Sequence, residues 1–348
     1  MTSTTTYPYT LQRYQGRATR YTCPACHKPH CFTRYLDTAT GELLDDAYGR
    51  CDHELNCGYH RSPYQDKPLK SQPCSPSWMA STTQPGSGPT STIWLAPHKV
   101  YTIPAEVLDL SVQPSYYKGN ALVKLLRNQL GVGDADSLLR RFQLGTSAYW
   151  PGACIFWLID EHGRIRGGQV VLYDETGHTV KTPYRHTCWV HTAYTKRCQQ
   201  LGMPVPSWLA DYTAYGQKSP CLFGLPQLRA APAGQPVALV ESAKTAMLAT
   251  FYMPQFVWLA TMGLSNLTEE RLRPLKGREI WLYPDAGAFE QWSRKADSLR
   301  HLGYNIRVSE LLEKQVTPTE RKKGLDLGDF LLREWRGYPP SWDAQQFL

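Results

Sequence analysis

The C-terminal third of the chain alternates short apolar runs with segments of helical periodicity. The predicted strands are VALV, FVWLA, REIWLY and NIRVSE. The predicted helices are SAKTAMLATF, Thr268–Leu275, about Ala288–Leu302 and LGDFLLREW. Strands that alternate with helices predict a parallel sheet joined by right-handed crossovers. Ligands of such sheets bind beyond the carboxyl ends of the strands, so residues that directly follow the strands are candidates for a site.

The middle of the chain has a different pattern. Apolar residues at three- and four-residue steps predict helices within Leu122–Phe142, interrupted at Gly131. The runs CIFWLID, GRIRGGQVVLY and HTVKT then predict strands, with turns at EHG and DETG. We therefore expect an antiparallel, β-rich segment with a helical start before the parallel sheet begins near Pro236.

A change in composition divides the chain into parts. Residues 66–92 are rich in Pro, Ser and Thr and lack periodic apolar positions, which predicts a flexible linker. The expected parts are a small cysteine-rich module at 1–65, the linker at 66–92, a mixed α+β subdomain at 93–232 and an α/β domain at 233–348. A chain of 348 residues is long enough for two compact domains and a small third one.

The N-terminal module carries cysteines at spacings typical of a metal site. They form two pairs, Cys23 with Cys26 and Cys51 with Cys57. Four thiolates from two hairpin tips can close a tetrahedral Zn²⁺ site, and a module with so little core needs such a cross-link. His53 or Cys31 could replace one of the thiolates. The alternative is a set of reduced, buried cysteines that bind no metal.

Acidic residues stand at several predicted strand-to-helix junctions. Glu241 directly follows VALV, and Asp285 follows IWLYP. Asp326 and Asp329 lie at the start of the last predicted helix. Carboxylates on one edge of a sheet repel each other unless a cation lies between them, and oxygen ligands select Mg²⁺ or Mn²⁺. The alternative is that each acid only caps the N-terminus of a helix.

The charge balance favours a polyanionic partner. Lys and Arg number 38 against 30 Asp and Glu, a net charge of +8. Arg34 and Arg50 in the cysteine module, and Arg164 and Arg166 in a predicted hairpin, are candidates for phosphate contacts with single-stranded nucleic acid. Ordinary solvated faces are the alternative. Because no apolar stretch approaches a membrane span or a signal peptide, we expect a cytoplasmic protein without a membrane partner.

Several motifs resemble those of bacterial primases. VALVESAKTAMLA resembles the first motif of the Toprim family, REIWLYPDAG resembles the segment that carries its Asp-x-Asp motif, and GLDLGDFLL resembles the acidic segment that follows. The segment FWLIDEHGRIRGGQVVLYD resembles part of the primase basic subdomain. The ESAKTA and PDAGAF motifs are most similar to primase-like proteins of bacterial mobile elements. The resemblance implies a Toprim-type parallel sheet flanked by helices, preceded by a mixed α+β subdomain and a small β zinc ribbon.

The resemblance also implies a function. In a DNA primase, Glu241 and Asp285, with Asp326 or Asp329, would hold Mg²⁺ or Mn²⁺ for primer synthesis on single-stranded DNA. Lys244, Arg164 and Arg166 would hold phosphates, and nucleotides and a separate replicative helicase are candidate partners.

The chain departs from the family pattern at two positions in the Toprim motifs. Gly287 stands where the motif has its second Asp, and Lys244 adds a positive charge to the first motif. A non-catalytic nucleic-acid-binding protein and a metal-dependent nuclease therefore stay open beside the primase hypothesis.

Overall fold

The computed structural model describes residues 8–52, 57, 59–64, 100–217 and 219–334. The chain divides into two compact units, residues 1–96 and 97–348, and the second unit contains both of the larger predicted domains. The linker predicted at 66–92 lies outside the described residues. Within the described part of the chain, no helix is both long enough and apolar enough to cross a lipid bilayer.

The first unit is a small antiparallel sheet. Its strands are β1 (Tyr9–Leu11), β2 (Phe32–Asp37), β3 (Gly49–Cys51) and β4 (His60–Arg61), paired in sequence order. Phe32 of β2 pairs with Cys51 of β3 and supplies the largest side chain of a core made otherwise of cysteines. A Cβ atom at Gly49 would lie 2.3 Å from the Phe32 ring, so this strand position requires glycine. Such a small core cannot stabilise the module by apolar burial alone.

The first half of the second unit is a mixed α+β subdomain. Its helices are α1 (Ala105–Ser111), α2 (Ala121–Leu130), α3 (Val132–Phe142), α4 (Val190–Gln200) and α5 (Ser207–Tyr215). Its strands are β5 (Gly145–Ser147), β6 (Ala153–Ile159), β7 (Ile165–Val171) and β8 (Thr187–Trp189), antiparallel and in sequence order. Asn120 begins α2 by accepting a hydrogen bond from the Val123 amide at 3.2 Å, and Gly131 separates α2 from α3.

The prediction of a strand at HTVKT was wrong. Only Thr179 of this segment makes a β-bridge, with Tyr173. The strand that pairs with β7 on the side away from β6 is β8. The physical reason lies in the residues on both sides. The Asp174 carboxylate accepts hydrogen bonds from the Thr176 and His178 amides and folds the segment into a turn, and Pro183 lacks the amide hydrogen that a ladder needs.

The second half of this unit is the predicted parallel sheet. Its strands are β9 (Val237–Val240), β10 (Val257–Ala260), β11 (Glu279–Leu282) and β12 (Asn305–Val308), all parallel and in the order β10-β9-β11-β12. Its helices are α6 (Ala243–Tyr252), α7 (Glu269–Leu272), α8 (Phe289–Arg300), α9 (Leu311–Gln315), α10 (Pro318–Lys323) and α11 (Leu327–Glu334). The helix expected over Thr268–Leu275 is shorter, because it tightens into a 3₁₀ turn at Pro274.

One apolar core joins the two sheets of the second unit. Phe156 and Leu158 of β6 belong to the same buried cluster as Trp258 and the other residues of the parallel sheet. Ile155 and Trp157 point to the opposite face of β6 and pack in a second cluster with α1 and α4. All seven residues of β6 are buried because both of its faces are covered, which explains its continuous apolar run.

Candidate functional site

Two acidic side chains follow neighbouring strands of the parallel sheet. Leu239 of β9 pairs with Leu282 of β11, so these strands end side by side. Glu241 comes directly after β9, and Asp285 comes three residues after β11. The chain leaves β9 for β10 on one side and later returns to β11 on the other, so this is the point where the strand order reverses. Ligands of open α/β sheets bind at such switch points.

The surroundings of Glu241 and Asp285 disfavour the charged form of both side chains. Burial raises the pKa of Asp285 well above its usual value, and the charges of Asp326, Glu241 and Asp329 raise it further. Burial also raises the pKa of Glu241, although Arg185 acts in the opposite direction. A divalent cation would relieve this repulsion, so the two carboxylates suit one Mg²⁺ or Mn²⁺ ion whose other ligands are water or phosphate oxygens.

Asp326 caps helix α11. Its Oδ1 atom accepts a hydrogen bond from the Asp329 amide at 2.7 Å, and its Oδ2 atom accepts one from the Thr245 hydroxyl at 3.0 Å. Both oxygens therefore already have protein partners. Helix capping, one of the two interpretations of the acidic residues, describes Asp326 in this structure.

The Lys244 ammonium lies among the acids. Its side chain is only 4% exposed, and Nζ donates to Asp329 Oδ1 and to the Gly177 carbonyl, both at 3.0 Å. Nζ also lies 3.8 Å from Asp326 Oδ2. Burial alone would lower the pKa of Lys244, but the charges of Asp326 and Asp329 outweigh it and raise the pKa, so the side chain stays charged. A phosphate could reach Nζ only by displacing these partners.

We call Glu241, Asp285, Asp326 and Asp329 the acidic cluster. His178 Nε2 lies 3.5 Å from the second carboxylate oxygen of Asp329, on the side away from Lys244. In the part of the chain that the structure describes, the one close group of three or more metal-ligating side chains consists of cysteines. The acidic cluster thus does not surround one point with three carboxylates, and Glu241 and Asp285 remain its candidates for holding an ion.

Sequence reasoning missed a basic residue beside Glu241. A cavity of about 120 Å³ lies between the edge of the parallel sheet and the antiparallel sheet, and we call it the cleft. Arg185 and Glu241 line it together with Tyr173 and Thr187. Arg185 is exposed and makes no side-chain hydrogen bond or ion pair within the described residues, and the buried Thr187 hydroxyl has no partner there either. Arg185 stands in a segment without strand or helix periodicity, so no sequence pattern pointed to it.

Arg164 and Arg166, predicted to bind phosphates, are paired with an acid. Asp160 is 2% exposed and accepts hydrogen bonds from Arg164 Nε at 2.8 Å and from Arg166 Nη1 at 3.3 Å. Burial favours the neutral acid, but hydrogen bonds from the Arg164 amide and both guanidinium groups prevail and lower the pKa of Asp160. Arg166 also donates to Gln217 at 2.9 Å. These contacts fix the β6–β7 hairpin and leave Arg164 the more exposed of the two.

The four predicted cysteines come together in the first unit. Cys23 Sγ lies 3.6 Å from Cys57 Sγ, Cys26 Sγ lies 3.9 Å from Cys51 Sγ, and all four sulfur atoms lie within 4.8 Å of one another. Tetrahedral zinc with Zn–S bonds of about 2.3 Å requires sulfur atoms about 3.8 Å apart. The residues therefore fit a Zn²⁺ ion.

The alternative zinc ligands differ in position. Cys31 Sγ is 3.8 Å from Cys51 Sγ, but it donates to the Lys28 carbonyl at 3.1 Å and lies outside the group of four. His53 lies outside the described residues.

The two basic candidates of this module have different surroundings. The Arg34 guanidinium lies 5.4 Å from the centre of the Tyr21 ring and donates to the Leu44 carbonyl, so it contacts its own sheet. Arg50 of β3 is exposed. Arg50 is thus the better placed of the two for a phosphate contact.

Two family models match the chain. Residues 7–72 match a zinc beta-ribbon finger family. The N-terminal module is thus similar to a zinc ribbon, and that term is used for it below. Residues 120–286 match a family described as "Domain of unknown function (DUF6371)", a segment that runs from the cap of α2 to the residue after Asp285. A search of curated proteins found no match.

Solved structures of primases share some similarity with the chain. The DnaG primase catalytic domain bound to ssDNA has a TM-score of 0.38 at 13% identity, over 66% of this chain and 82% of that one. The E. coli primase catalytic core has a TM-score of 0.36 at 12% identity, over 66% and 81%. The RNA polymerase domain of Mycobacterium tuberculosis DnaG in complex with double-stranded DNA has a TM-score of 0.39 at 12% identity, over 66% and 77%. Scores at this level assign no role to any residue of this chain.

Proposed function

We propose that the chain is a primase-like protein that binds single-stranded DNA and holds one Mg²⁺ or Mn²⁺ ion with Glu241 and Asp285. The observation that carries the proposal is the pair of carboxylates with raised pKa values at the adjacent carboxyl ends of β9 and β11. Such a pair at a topological switch point is suited to an ion that contacts phosphate oxygens. The resemblance to Toprim motifs, with a zinc ribbon in the first unit, supports the same proposal.

The cleft places a positive charge near the acidic pair. Arg185 faces it with a guanidinium that no other described residue pairs, and a guanidinium can bind a phosphate through two parallel hydrogen bonds. In primer synthesis a 3′-hydroxyl attacks the α-phosphate of the next nucleotide and pyrophosphate leaves. Glu241 and Asp285 would position the divalent ion, which would stabilise the charge that develops on the phosphate. Arg185 would orient the nucleotide or the template strand.

The zinc ribbon would hold the template strand. Arg50 is exposed on β3, and the exposed Tyr14 ring lies 4.8 Å from the Arg20 guanidinium, which also pairs with Asp52 at 3.0 Å. Basic and aromatic residues on one small module suit phosphate contacts and base stacking with a single strand. A role in the replication of a mobile element, with a separate helicase, is the cellular setting that the ESAKTA and PDAGAF motifs favour.

The experiment that tests this function is primer synthesis on single-stranded DNA with Mg²⁺ or Mn²⁺. Wild-type protein, Glu241→Gln and Asp285→Asn are compared with Glu290→Gln, which removes an exposed acid from the first turn of α8. We expect synthesis by wild type and Glu290→Gln and at least a tenfold loss in the other two variants, in keeping with the several kcal/mol that a positioned ion contributes. No synthesis by the wild type would overturn the catalytic part of the proposal.

One observation favours a second candidate, a non-catalytic nucleic-acid-binding protein. The Lys244 ammonium already neutralises Asp329, and Gly287 replaces the second Asp of the motif. This candidate predicts single-stranded DNA binding that Glu241→Gln does not change, without synthesis. Cleavage of the DNA that depends on Glu241 would instead identify a nuclease.

A further inference from the structure

We propose that Lys244 is an internal cation that occupies the place of a divalent ion between Asp326 and Asp329, so that these two acids bind no metal. Lys244 would then be the residue that limits the acidic cluster to a single ion. The inference deepens the proposed function, because it concerns the metal content of the same site.

The contacts of Nζ resemble those of a coordinated ion. It meets three oxygens from two segments: Asp329 Oδ1 at 3.0 Å and Asp326 Oδ2 at 3.8 Å from the start of α11, and the Gly177 carbonyl at 3.0 Å. Carboxylate and carbonyl oxygens are also the ligands of hard divalent cations. A second cation at this place would lie against the ammonium and be repelled by it. Since Lys244 is only 4% exposed, its side chain cannot swing into solvent without rearrangement of its neighbours.

The segment that supplies the carbonyl oxygen is built to approach the ammonium closely. Gly177 has φ +83°, and a Cβ atom there would lie 2.7 Å from a Leu125 methyl group. The preceding turn is held by Asp174, and His178 of the same segment lies 3.5 Å from Asp329. Lys244 therefore ties helix α6, the turn at 174–178 and the start of α11 together, as a metal ion would.

The alternative role for a lysine at this site is phosphate binding. A phosphate would have to replace the Asp329 carboxylate and the Gly177 carbonyl, and would lie beside Asp326. Removal of one member of a buried ion pair leaves the other charge without compensation, which is costly. The observed contacts therefore favour the internal cation over a phosphate ligand.

The test is the number of Mn²⁺ ions bound by the full, zinc-loaded chain, measured by electron paramagnetic resonance titration. We expect Lys244→Gln to bind one more Mn²⁺ per chain than the wild type, because the acids lose their ammonium partner. Lys244→Arg keeps the charge and should bind the wild-type number. The matched control is Lys295→Gln, which removes a partly buried lysine that donates to the Leu267 carbonyl at 3.4 Å and not to an acid. An unchanged Mn²⁺ count in folded Lys244→Gln would overturn the inference.

A second variant keeps the inference testable if Lys244→Gln does not fold. Asp329→Asn retains the lysine, and its Mn²⁺ count should equal that of the wild type, because Asp329 holds no metal. A count lower by one would show that Asp329 is a metal ligand and would contradict the inference.

The Mn²⁺ counts with Lys244 and with Lys244→Gln are also compared in an Asp285→Asn background, which removes the proposed ion. There the gain of one Mn²⁺ on Lys244→Gln should persist, whether or not Glu241 and Asp285 bind an ion in the wild type.

Discussion

Leu239 of β9 lies opposite Leu282 of β11 in parallel register, and an acidic residue follows each strand within three positions. This register brings Glu241 and Asp285 to one edge of the sheet without any direct contact with a basic side chain in the described residues. Burial raises the pKa of Asp285, and the charges of Asp326 and Glu241 raise it further. The first prediction rests on that repulsion.

Asp285→Asn should stabilise the protein when no divalent ion other than zinc is present. Because burial and neighbouring acids raise the folded-state pKa of Asp285, the neutral form favours folding. This contribution is fully present below the unfolded pKa of about 4 and is lost as the pH rises through the folded pKa. We expect equal free energies of unfolding for wild type and variant near pH 4, and a higher free energy of unfolding for the variant at neutral pH.

Urea denaturation at several pH values measures this difference. Asp211→Asn, which changes an exposed acid on α5, serves as the control and should follow the wild type across the range. Addition of Mg²⁺ should stabilise the wild type and leave Asp285→Asn unchanged. A constant gap between wild type and Asp285→Asn at every pH would contradict the explanation by repulsion.

The four-cysteine site makes a separate prediction about zinc. Cys51→Ser should abolish stoichiometric zinc binding, because three thiolates cannot complete the tetrahedral site. Cys31→Ser should retain about one zinc per chain, since the Cys31 thiol donates to the Lys28 carbonyl instead. Metal analysis by mass spectrometry separates the two variants. Loss of zinc from Cys31→Ser would show that Cys31 is a ligand, and one of the four proposed cysteines would then not bind the ion.

The cysteine cluster of the zinc ribbon could be predicted from the sequence. Spacing alone identified Cys23, Cys26, Cys51 and Cys57, because two short cysteine pairs in a module with little core have few other uses. The alternation of apolar runs and helices likewise identified the four parallel strands, and β9 and β10, whose residues are all buried, are continuous apolar runs. Both features depend on short-range spacing or apolar patterns, which can be seen directly in the sequence.

The roles of charged residues could not be predicted in the same way. Lys244 and Asp329 are 85 positions apart, and Arg185 and Glu241 lie next to strands of different sheets, before β8 and after β9. Which residues form an ion pair depends on how the sheets pack, and the periodicity of the sequence does not show that packing. Arg164 and Arg166 therefore looked available for phosphate, whereas the buried Asp160 holds both.

The Arg185 guanidinium, which no other described residue pairs, leads to a prediction about DNA binding. Arg185→Gln should weaken binding of single-stranded DNA for all sequences and reduce the slope of log K against log salt by about 0.7, the value for one phosphate contact on a single strand. Lys196→Gln makes the same charge change on α4, which packs on the opposite face of the antiparallel sheet. Fluorescence anisotropy between low and moderate salt measures both. An equal loss in the two variants would mean that only net charge matters, and the cleft would not be the binding site.

The last prediction concerns Gly287, where the primase motif has an aspartate. Its φ of +83° lies in the left-handed region, its amide donates to Glu313 at 2.8 Å, and a Cβ atom there would lie 3.4 Å from the Arg321 side chain. Gly287→Asp should therefore destabilise the protein by about 1–2 kcal/mol, the cost of a left-handed conformation for a residue with a side chain. Gly287→Ala imposes the same conformation without a carboxylate. We expect Gly287→Ala to be destabilised at least as much as Gly287→Asp, because aspartate adopts the left-handed conformation more readily than alanine. Both variants should bind the wild-type number of Mn²⁺ ions. An additional Mn²⁺ in Gly287→Asp would show instead that the turn can present a metal ligand. The absence of a carboxylate at position 287 would then be the reason that the chain binds a single ion.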